Sequence, residues 1–135
     1  MPPRRRTSPA DGLAAVQDWR RDPEGAPRHT VATAVRYTLE ELAARAPGRS
    51  TEVRVPPHGA VQCLSGLTHR RGTPPNVVET DAATWLRLAT GALTWDDAWE
   101  SGTLRVSGTR ADLTAYLPLV TDPEGSAPCA TASSS

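Results

Sequence analysis

The side chains best suited to metal chemistry lie in the middle of the chain. Four residues separate His58 from Cys63, and five separate Cys63 from His69. Zinc sites usually take their ligands as closer pairs, such as Cys-x2-Cys or His-x3-His, and neither pair occurs. The glycine-rich phosphate motifs GxxxxGK[ST] and GxGxxG are absent as well. We therefore predict no metal site and no cofactor.

Cys63 is the main candidate for a catalytic nucleophile, with His69 and Asp81 as conceivable partners. Catalysis would need the thiolate, and a thiol inside an apolar run such as residues 60–64 is more often inert than activated. No GxSxG motif offers a serine instead. An enzyme that acts on a thiol or acyl substrate through Cys63 is the weakest hypothesis, so we predict that the chain is not an enzyme.

Two pairs of adjacent carboxylates, Glu40-Glu41 and Asp96-Asp97, could supply a general acid and a general base. Adjacent positions on a helix point in different directions, however. We therefore assign no catalytic role to either pair.

A polar loop over residues 69–76 contains the candidate ligands for an anion. Arg70 and Arg71 stand beside a glycine and a threonine there, ahead of two prolines. Two guanidinium groups can bind a carboxylate or phosphate head group. The alternative is a solvated loop that Pro74 and Pro75 stiffen.

The composition excludes several classes of protein. The 135 residues carry 15 arginines, no lysine and 15 acidic residues, which gives a formal net charge of zero. Proteins that bind nucleic acid generally present a basic face, so we predict no nucleic-acid partner. The run Arg4-Arg5-Arg6 could touch phosphate, but a solvated terminus is the more ordinary interpretation. The length indicates one domain.

The sequence also indicates in which cellular compartment the protein is expected. No apolar run approaches the roughly 18 residues of a membrane span, so we predict no transmembrane segment. The first twelve residues lack the apolar stretch of a secretory signal. Cys63 and Cys129 do not make a disulfide framework, and we expect a reducing, cytoplasmic location.

Periodic apolar residues and capping residues define the expected elements. Ser8, Thr30, Thr80 and Thr94 are each predicted to cap a helix. Alternation of apolar and polar residues predicts the strands. Helices are expected over residues 9–20, 30–46, 81–90, 95–101 and 109–117, and strands over 50–55, 60–64, 76–79 and 103–107, with a ragged strand near 68–71.

The order of elements predicts an α+β fold with one sheet, covered mainly on one face by helices. The late strand at residues 103–107 must join the same sheet, because a single strand is not stable on its own. We divide the chain into a flexible segment with a short helix (1–28), a folded domain (29–120) and a disordered tail (121–135).

The segment from Asp81 to Leu119 resembles the sterol carrier protein family. The glycines and apolar residues that match its pattern GxLxxxxAxxxGxLxxxG are Gly91, Leu93, Ala98, Gly102, Leu104 and Gly108. Residues 37–63 and 71–81 are similar to the bacterial orthologue branch of that family. The resemblance covers about residues 29–120.

That resemblance implies a mixed five-stranded sheet with helices over one face, enclosing an apolar tunnel. It implies non-catalytic carriage of a lipid, fatty acid or sterol-like molecule, with a small apolar ligand as partner. The apolar faces supply the residues expected to form the core or the tunnel wall, which are Val35, Leu39, Val53, Val55, Val61, Trp85, Leu86, Leu104, Val106, Leu113 and Leu117. Arg70 and Arg71 would then hold the head group at the mouth. The alternative is a packed accessory module that binds another protein through Trp95 and Trp99.

Overall fold

The structure is a computed structural model that describes residues 6–66, 76–108 and 112–121. Several expectations from the sequence fall outside these ranges. They concern the arginine pair Arg70 and Arg71, the partner His69, the ragged strand near residues 68–71, and the tail beyond Thr121.

Two long helices open the fold: α1 spans Pro9–Arg21 and α2 spans Arg28–Arg45. The predicted cap of α1 is confirmed, because Ser8 Oγ accepts a hydrogen bond from the Asp11 amide at 3.1 Å. The predicted cap of α2 is wrong, since Thr30 lies inside the helix. Pro27 stands at the start of α2 instead, and its carbonyl accepts from the Val31 amide at 3.1 Å. The fixed φ of proline suits the start of a helix.

Helix α1 packs on α2 through a stripe of four buried residues, Gly12, Ala15, Val16 and Trp19. Gly12 permits the close approach, because a Cβ there would lie 2.1 Å from Cγ of Tyr37. Leu13, the next residue after Gly12, is 40% exposed. One step along a helix turns the side chain by about 100°, so Leu13 falls outside the stripe that Gly12 begins.

The sheet has four strands within the described residues, not the five expected. They are β1 (Thr51–Val55), β2 (Gly59–Cys63), β3 (Asn76–Glu79) and β4 (Arg105–Ser107). Their spatial order is β2-β1-β3-β4, with β1 parallel to β3 and the other pairs antiparallel. The sheet is therefore mixed and open, within an α+β fold.

Strand β4 is shorter than the predicted span of residues 103–107. Thr103 still belongs to the turn before it, because its amide donates to the carbonyl of Ala98 at 3.3 Å and its carbonyl accepts from Oγ1 of Thr80 at 2.7 Å. Both backbone groups of Thr103 are thus engaged outside the β3–β4 ladder, and β4 begins only at Arg105.

The two faces of the sheet differ sharply. Val53 faces the interior between Val61 of β2 and Val78 of β3, and the helices cover that side. The opposite face is polar, with Arg54 paired to Glu52 at 2.7 Å and lying 4.0 Å from Glu79. The prediction that helices cover one face is confirmed.

Two shorter helices follow β3: α3 (Ala82–Thr90) and α4 (Trp95–Glu100). Asp81 caps α3, with its carboxylate 2.7 Å from the Thr84 amide, so the predicted Thr80 cap is wrong by one residue. The positive end of the helix dipole also stabilises a carboxylate at this position. Helix α3 ends at Thr90, as predicted, and is followed by Gly91 with a φ of +85°. The predicted cap of α4 is also confirmed, because Oγ1 of Thr94 accepts a hydrogen bond from the Asp97 amide at 3.1 Å.

The final predicted helix is wrong. The described residues show only a 3₁₀ turn at Thr114–Tyr116. Asp112 begins it by accepting from the Thr114 amide at 2.8 Å. After Pro118 the chain bonds elsewhere, since the Leu119 and Val120 amides both donate to the carbonyl of Ala89 at the end of α3.

Candidate functional site

The apolar residues predicted as core or tunnel wall meet in one cluster between the sheet and the helices. Six of them expose none of their surface: Val35, Val53, Val55, Trp85, Leu86 and Leu113. A side chain with no exposed surface borders no space large enough for a water molecule. These six therefore pack against their neighbours, and the expected tunnel is not present among them.

The remaining five predicted wall residues lie nearer the margin of the cluster. Leu39 and Leu104 are 1% and 8% exposed, and Val61, Val106 and Leu117 are partly buried against the core. Two of these residues, Leu39 and Val61, border an open cavity. They mark the place where the predicted wall meets space that a ligand could enter.

That cavity is a cleft of about 310 Å³ between α2 and the β2 edge of the sheet. We call it the α2–β2 cleft. Leu39 and Ala43 of α2 form one side, and the strand residues Gly59, Ala60 and Val61 form the other. Gly59 keeps the space open, because the position of a Cβ there already lies 3.7 Å from Cδ1 of Leu39.

The mouth of the cleft is polar. Arg6, Arg36, Glu40 and His58 line it. Neither Arg6 nor Arg36 forms an ion pair with any residue that the structure describes, and both are exposed.

Glu40 ties the segment before α1 to α2. Its Oε2 accepts from the Arg6 amide at 3.2 Å and its Oε1 from the Thr7 amide at 3.1 Å. Both carboxylate oxygens are therefore engaged with backbone. The effect is to hold Arg6 beside the mouth, across 34 positions of sequence.

Sequence reasoning missed this mouth. Arg36 was not singled out, although it lies three positions before the predicted wall residue Leu39 on the same helix, a spacing that places the two side chains on one face. His58 was considered only as a metal ligand, and Arg6 as part of a solvated terminus. Arg70 and Arg71, the predicted head-group ligands, lie outside the described residues.

Cys63 does not have the environment of a nucleophile. Its side chain is fully buried, and this burial raises the pKa of the thiol to about 12. It pairs with Thr51 at one end of the β1–β2 hairpin, whereas His58 lies in the turn at the other end. The thiolate that catalysis needs is therefore disfavoured at neutral pH.

A second open cavity lies between the end of α1 and α3. Its volume is about 610 Å³, and Trp19, Pro23, Ala83, Arg87 and Ala92 are among its lining residues. None of the predicted wall residues borders it. It is therefore a separate surface groove and not the mouth of the predicted tunnel.

The two tryptophans proposed as protein contacts have different environments. Trp99 is 56% exposed, whereas Trp95 is partly buried against the core. Only Trp99 presents a large apolar surface to a partner.

Two further features are absent from the described parts of the chain. They hold no group of three or more His, Cys, Asp or Glu side chains placed to bind a metal ion. None of their helices combines the length and the apolarity that a membrane span requires.

Comparison with protein families identifies the family of this chain. The model of a family described as "Bacterial SCP ortholog" matches residues 27–119, more than half of the chain. No curated protein matches the sequence. The matched segment begins at Pro27, just before α2, and ends at Leu119, next to the contact with Ala89.

Proposed function

Because this chain belongs to the bacterial sterol carrier protein orthologue family, we propose that it is a non-catalytic binding protein for an apolar or amphipathic small molecule. Membership suggests lipid or sterol carriage in general. The buried, weakly acidic thiol of Cys63 supports a role without covalent chemistry.

One observation carries the proposal: the α2–β2 cleft opens directly onto Leu39 and Val61, two residues of the apolar cluster. A ligand entering there replaces water on apolar surface, which favours binding by roughly 0.8 kcal/mol for each methylene buried. The cleft's volume of about 310 Å³ is at the lower end of the roughly 300–1,000 Å³ typical of small-molecule sites. It suits a head group with a short tail.

A longer tail would need the tunnel that the family resemblance implies, and that tunnel would have to open. Separating α2 and α3 from the sheet to make a space of about 300 Å³ would cost roughly 7 kcal/mol at about 24 cal/mol per Å³. At roughly 0.8 kcal/mol per methylene, about nine methylenes would offset it. A long acyl chain could therefore stabilise an open form.

The second candidate function is a packed accessory module that binds another protein. The complete burial of Val35, Val53 and Trp85 favours it, because a filled interior needs no ligand. Trp99, with 56% of its surface exposed, would then be a contact residue, as large exposed aromatic side chains often are.

Direct binding separates the two functions. The purified chain would be examined by native mass spectrometry for a bound lipid and then titrated with a dansyl-labelled undecanoic acid. Gly59→Leu fills the α2–β2 cleft, because a Cβ at this position would point at Leu39 and lie 3.7 Å from its Cδ1. Ala83→Leu is the matched control in the groove beside α3. We expect at least tenfold weaker binding for Gly59→Leu and no change for Ala83→Leu. If the folded wild type binds no probe and carries no lipid, the carrier function is wrong and the accessory module remains.

A further inference from the structure

We propose that the mouth of the α2–β2 cleft is an anion-binding site that recognises the carboxylate or phosphate head of an amphiphile. This rests on the proposed function and adds to it a class of ligand and the residues that select it. The ligand would have one anionic end and a short apolar tail.

The side chains that line the cleft include two guanidinium groups, those of Arg6 and Arg36, and one carboxylate, that of Glu40. The same two arginines also line a neighbouring cavity beside α1 with Asp11 and Asp18, but neither arginine forms an ion pair with these described carboxylates.

Among the described residues, Arg21, Arg45 and Arg54 each pair with a carboxylate, whereas Arg6 and Arg36 pair with none, as is also true of several other exposed arginines. Arg6 and Arg36 are distinguished by lying together at one cleft.

Glu40 does not cancel this charge by bonding to either guanidinium group. Both of its oxygens accept backbone amides, those of Arg6 and Thr7. It acts as a positioning residue, since the bonds keep the Arg6 backbone next to α2. An arginine can donate two parallel hydrogen bonds to a carboxylate or a phosphate, and two arginines at one mouth could share a single head group.

The cleft behind the mouth selects for the tail. Val61, which is half-buried, offers apolar surface inside the cleft beside Gly59. Leu39 and Ala43, each 1% exposed, form the closely packed opposite side, and none of these side chains is charged. A tail-less anion would gain only the contacts at the mouth, and a neutral alcohol only those inside. An anionic amphiphile gains both, which is the basis for the specificity.

The experiment compares four ligands with matched ten-carbon tails by isothermal titration calorimetry, below their micelle concentrations. These are decanoate, decyl phosphate, decanol and decyltrimethylammonium, with acetate and inorganic phosphate as tail-less controls. We expect wild-type protein to bind the two anions at least tenfold more tightly than decanol. The cation and both tail-less anions should bind more weakly than decanol.

The variant Arg36→Ala should weaken decanoate and decyl phosphate at least tenfold and decanol less than twofold. Arg105→Ala is the control, because Arg105 is an equally exposed arginine on β4 that borders a different pocket. Arg36→Lys should recover part of the loss, as it keeps the charge and loses the paired donors.

Three results with Arg36→Ala or with the tail-less anions would overturn the inference. The first is an equal loss of decanoate and decanol in Arg36→Ala, and the second is no loss of either. The third is tail-less anions that bind as tightly as decanoate, which would indicate a plain anion site. If wild-type protein binds decanol but shows no preference for anions, the head-group site is wrong and the carrier function stands. If it binds none of the four tailed ligands, the carrier function fails too.

Discussion

The indole Nε1 of Trp85 donates a hydrogen bond to Oγ1 of Thr38 at 2.8 Å, in the fully buried space between α3 and α2. The hydroxyl of Thr38 in turn bonds to carbonyls of its own helix, at 2.8 Å for Ala34 and 3.0 Å for Val35. Both polar groups are thereby satisfied without water. The bond is a specific link that keeps the two helices together over the sheet.

Thr38→Val should destabilise the protein by about 1–3 kcal/mol, because the substitution keeps the shape and leaves the indole N–H buried without an acceptor. Urea unfolding followed by circular dichroism measures the loss. Thr33→Val is the control on the same helix: Thr33 is only half-buried and makes no side-chain hydrogen bond to described residues. It should change stability by less than about 0.5 kcal/mol. Equal effects of the two substitutions would show that the Trp85–Thr38 bond adds no stability.

Gly12→Ala should destabilise the packing of α1 on α2, although alanine is the better helix former by about 1 kcal/mol. The new Cβ would lie 2.1 Å from Cγ and 2.6 Å from Cβ of Tyr37. The Cβ of Tyr37 is fixed to the backbone of α2, so the helices must separate, at a cost of about 1–3 kcal/mol.

A double-mutant cycle identifies the cause of that loss. In a Tyr37→Gly background the same Gly12→Ala change should become neutral or favourable, because both the ring and the Cβ that the new methyl group would meet are gone and only helix propensity remains. Thermal unfolding of the four proteins gives the coupling free energy. A Gly12→Ala protein as stable as wild type would mean that the helices do not approach as closely as described.

The stability of the protein should fall above pH 9 because of Cys63. Burial raises the pKa of its thiol from an ordinary value of 9.0 to about 12. The folded state then keeps its proton where the unfolded state loses it, so the free energy of unfolding decreases by about 1.4 kcal/mol per pH unit between these values. Below pH 9 this contribution is fully present.

Urea unfolding at pH 8, 9, 10 and 11 tests this, with Cys63→Ala as the comparison. The variant should show a flatter pH dependence than wild type, since the remaining groups titrate in both proteins. Parallel curves for the two proteins would mean that Cys63 titrates in the folded state as it does in the unfolded chain.

The length of the preferred tail should be short. The cleft's volume of about 310 Å³ corresponds to about ten groups of water size at roughly 30 Å³ each. For n-alkanoates from six to sixteen carbons, we expect affinity to rise about fourfold per methylene at first and to level off near eight to ten carbons. Calorimetry with the wild-type protein measures the series. A rise that continues to sixteen carbons would show that α2 and α3 part from the sheet and that the interior accepts the tail.

Local chemistry explains why much of the fold could be predicted from the sequence. The alternation of residues 51–55 assigned Val53 and Val55 to the covered face, and both are fully buried. Gly91 and Thr94 end one helix and begin the next because their own conformations and side chains suit those positions. Such signals involve neighbours a few residues apart, which a sequence displays directly.

The wrong predictions concern two kinds of position. In the first, residues close in sequence compete to cap the same helix, and in the second, segments distant in sequence come into contact. Pro27 and Asp81 took the starting positions that Thr30 and Thr80 were expected to hold, shifts that depend on small differences in local geometry. Within the part of the chain that the structure describes, only a 3₁₀ turn at Thr114–Tyr116 replaces the helix expected before Pro118, and the chain after it bonds to the distant carbonyl of Ala89.

The candidate site was predicted only in part. Leu39 and Val61, which apolar periodicity predicted as core or tunnel wall, border the cleft, and their contact with a ligand stays a prediction. Whether such residues surround a cavity or fill the core depends on the distance at which the helices pack on the sheet. The apolar pattern of a single segment does not determine that distance. The mouth escaped notice because Arg6 and Arg36 are 30 positions apart and meet only through the packing of α1 on α2 and the bonds to Glu40.

The central place of β1 sets an order of assembly. Its antiparallel partner β2 begins at Gly59, just after a tight turn, whereas its parallel partner β3 aligns Asn76 with Thr51, 25 positions earlier. Closing the smaller loop costs less chain entropy, so we expect the β1–β2 hairpin to form first. Strand β3 would then pair with β1, and β4 would pair with β3. Pulsed hydrogen exchange during refolding should therefore protect the amides of β1 and β2 before those of β4, and the reverse order would exclude this route.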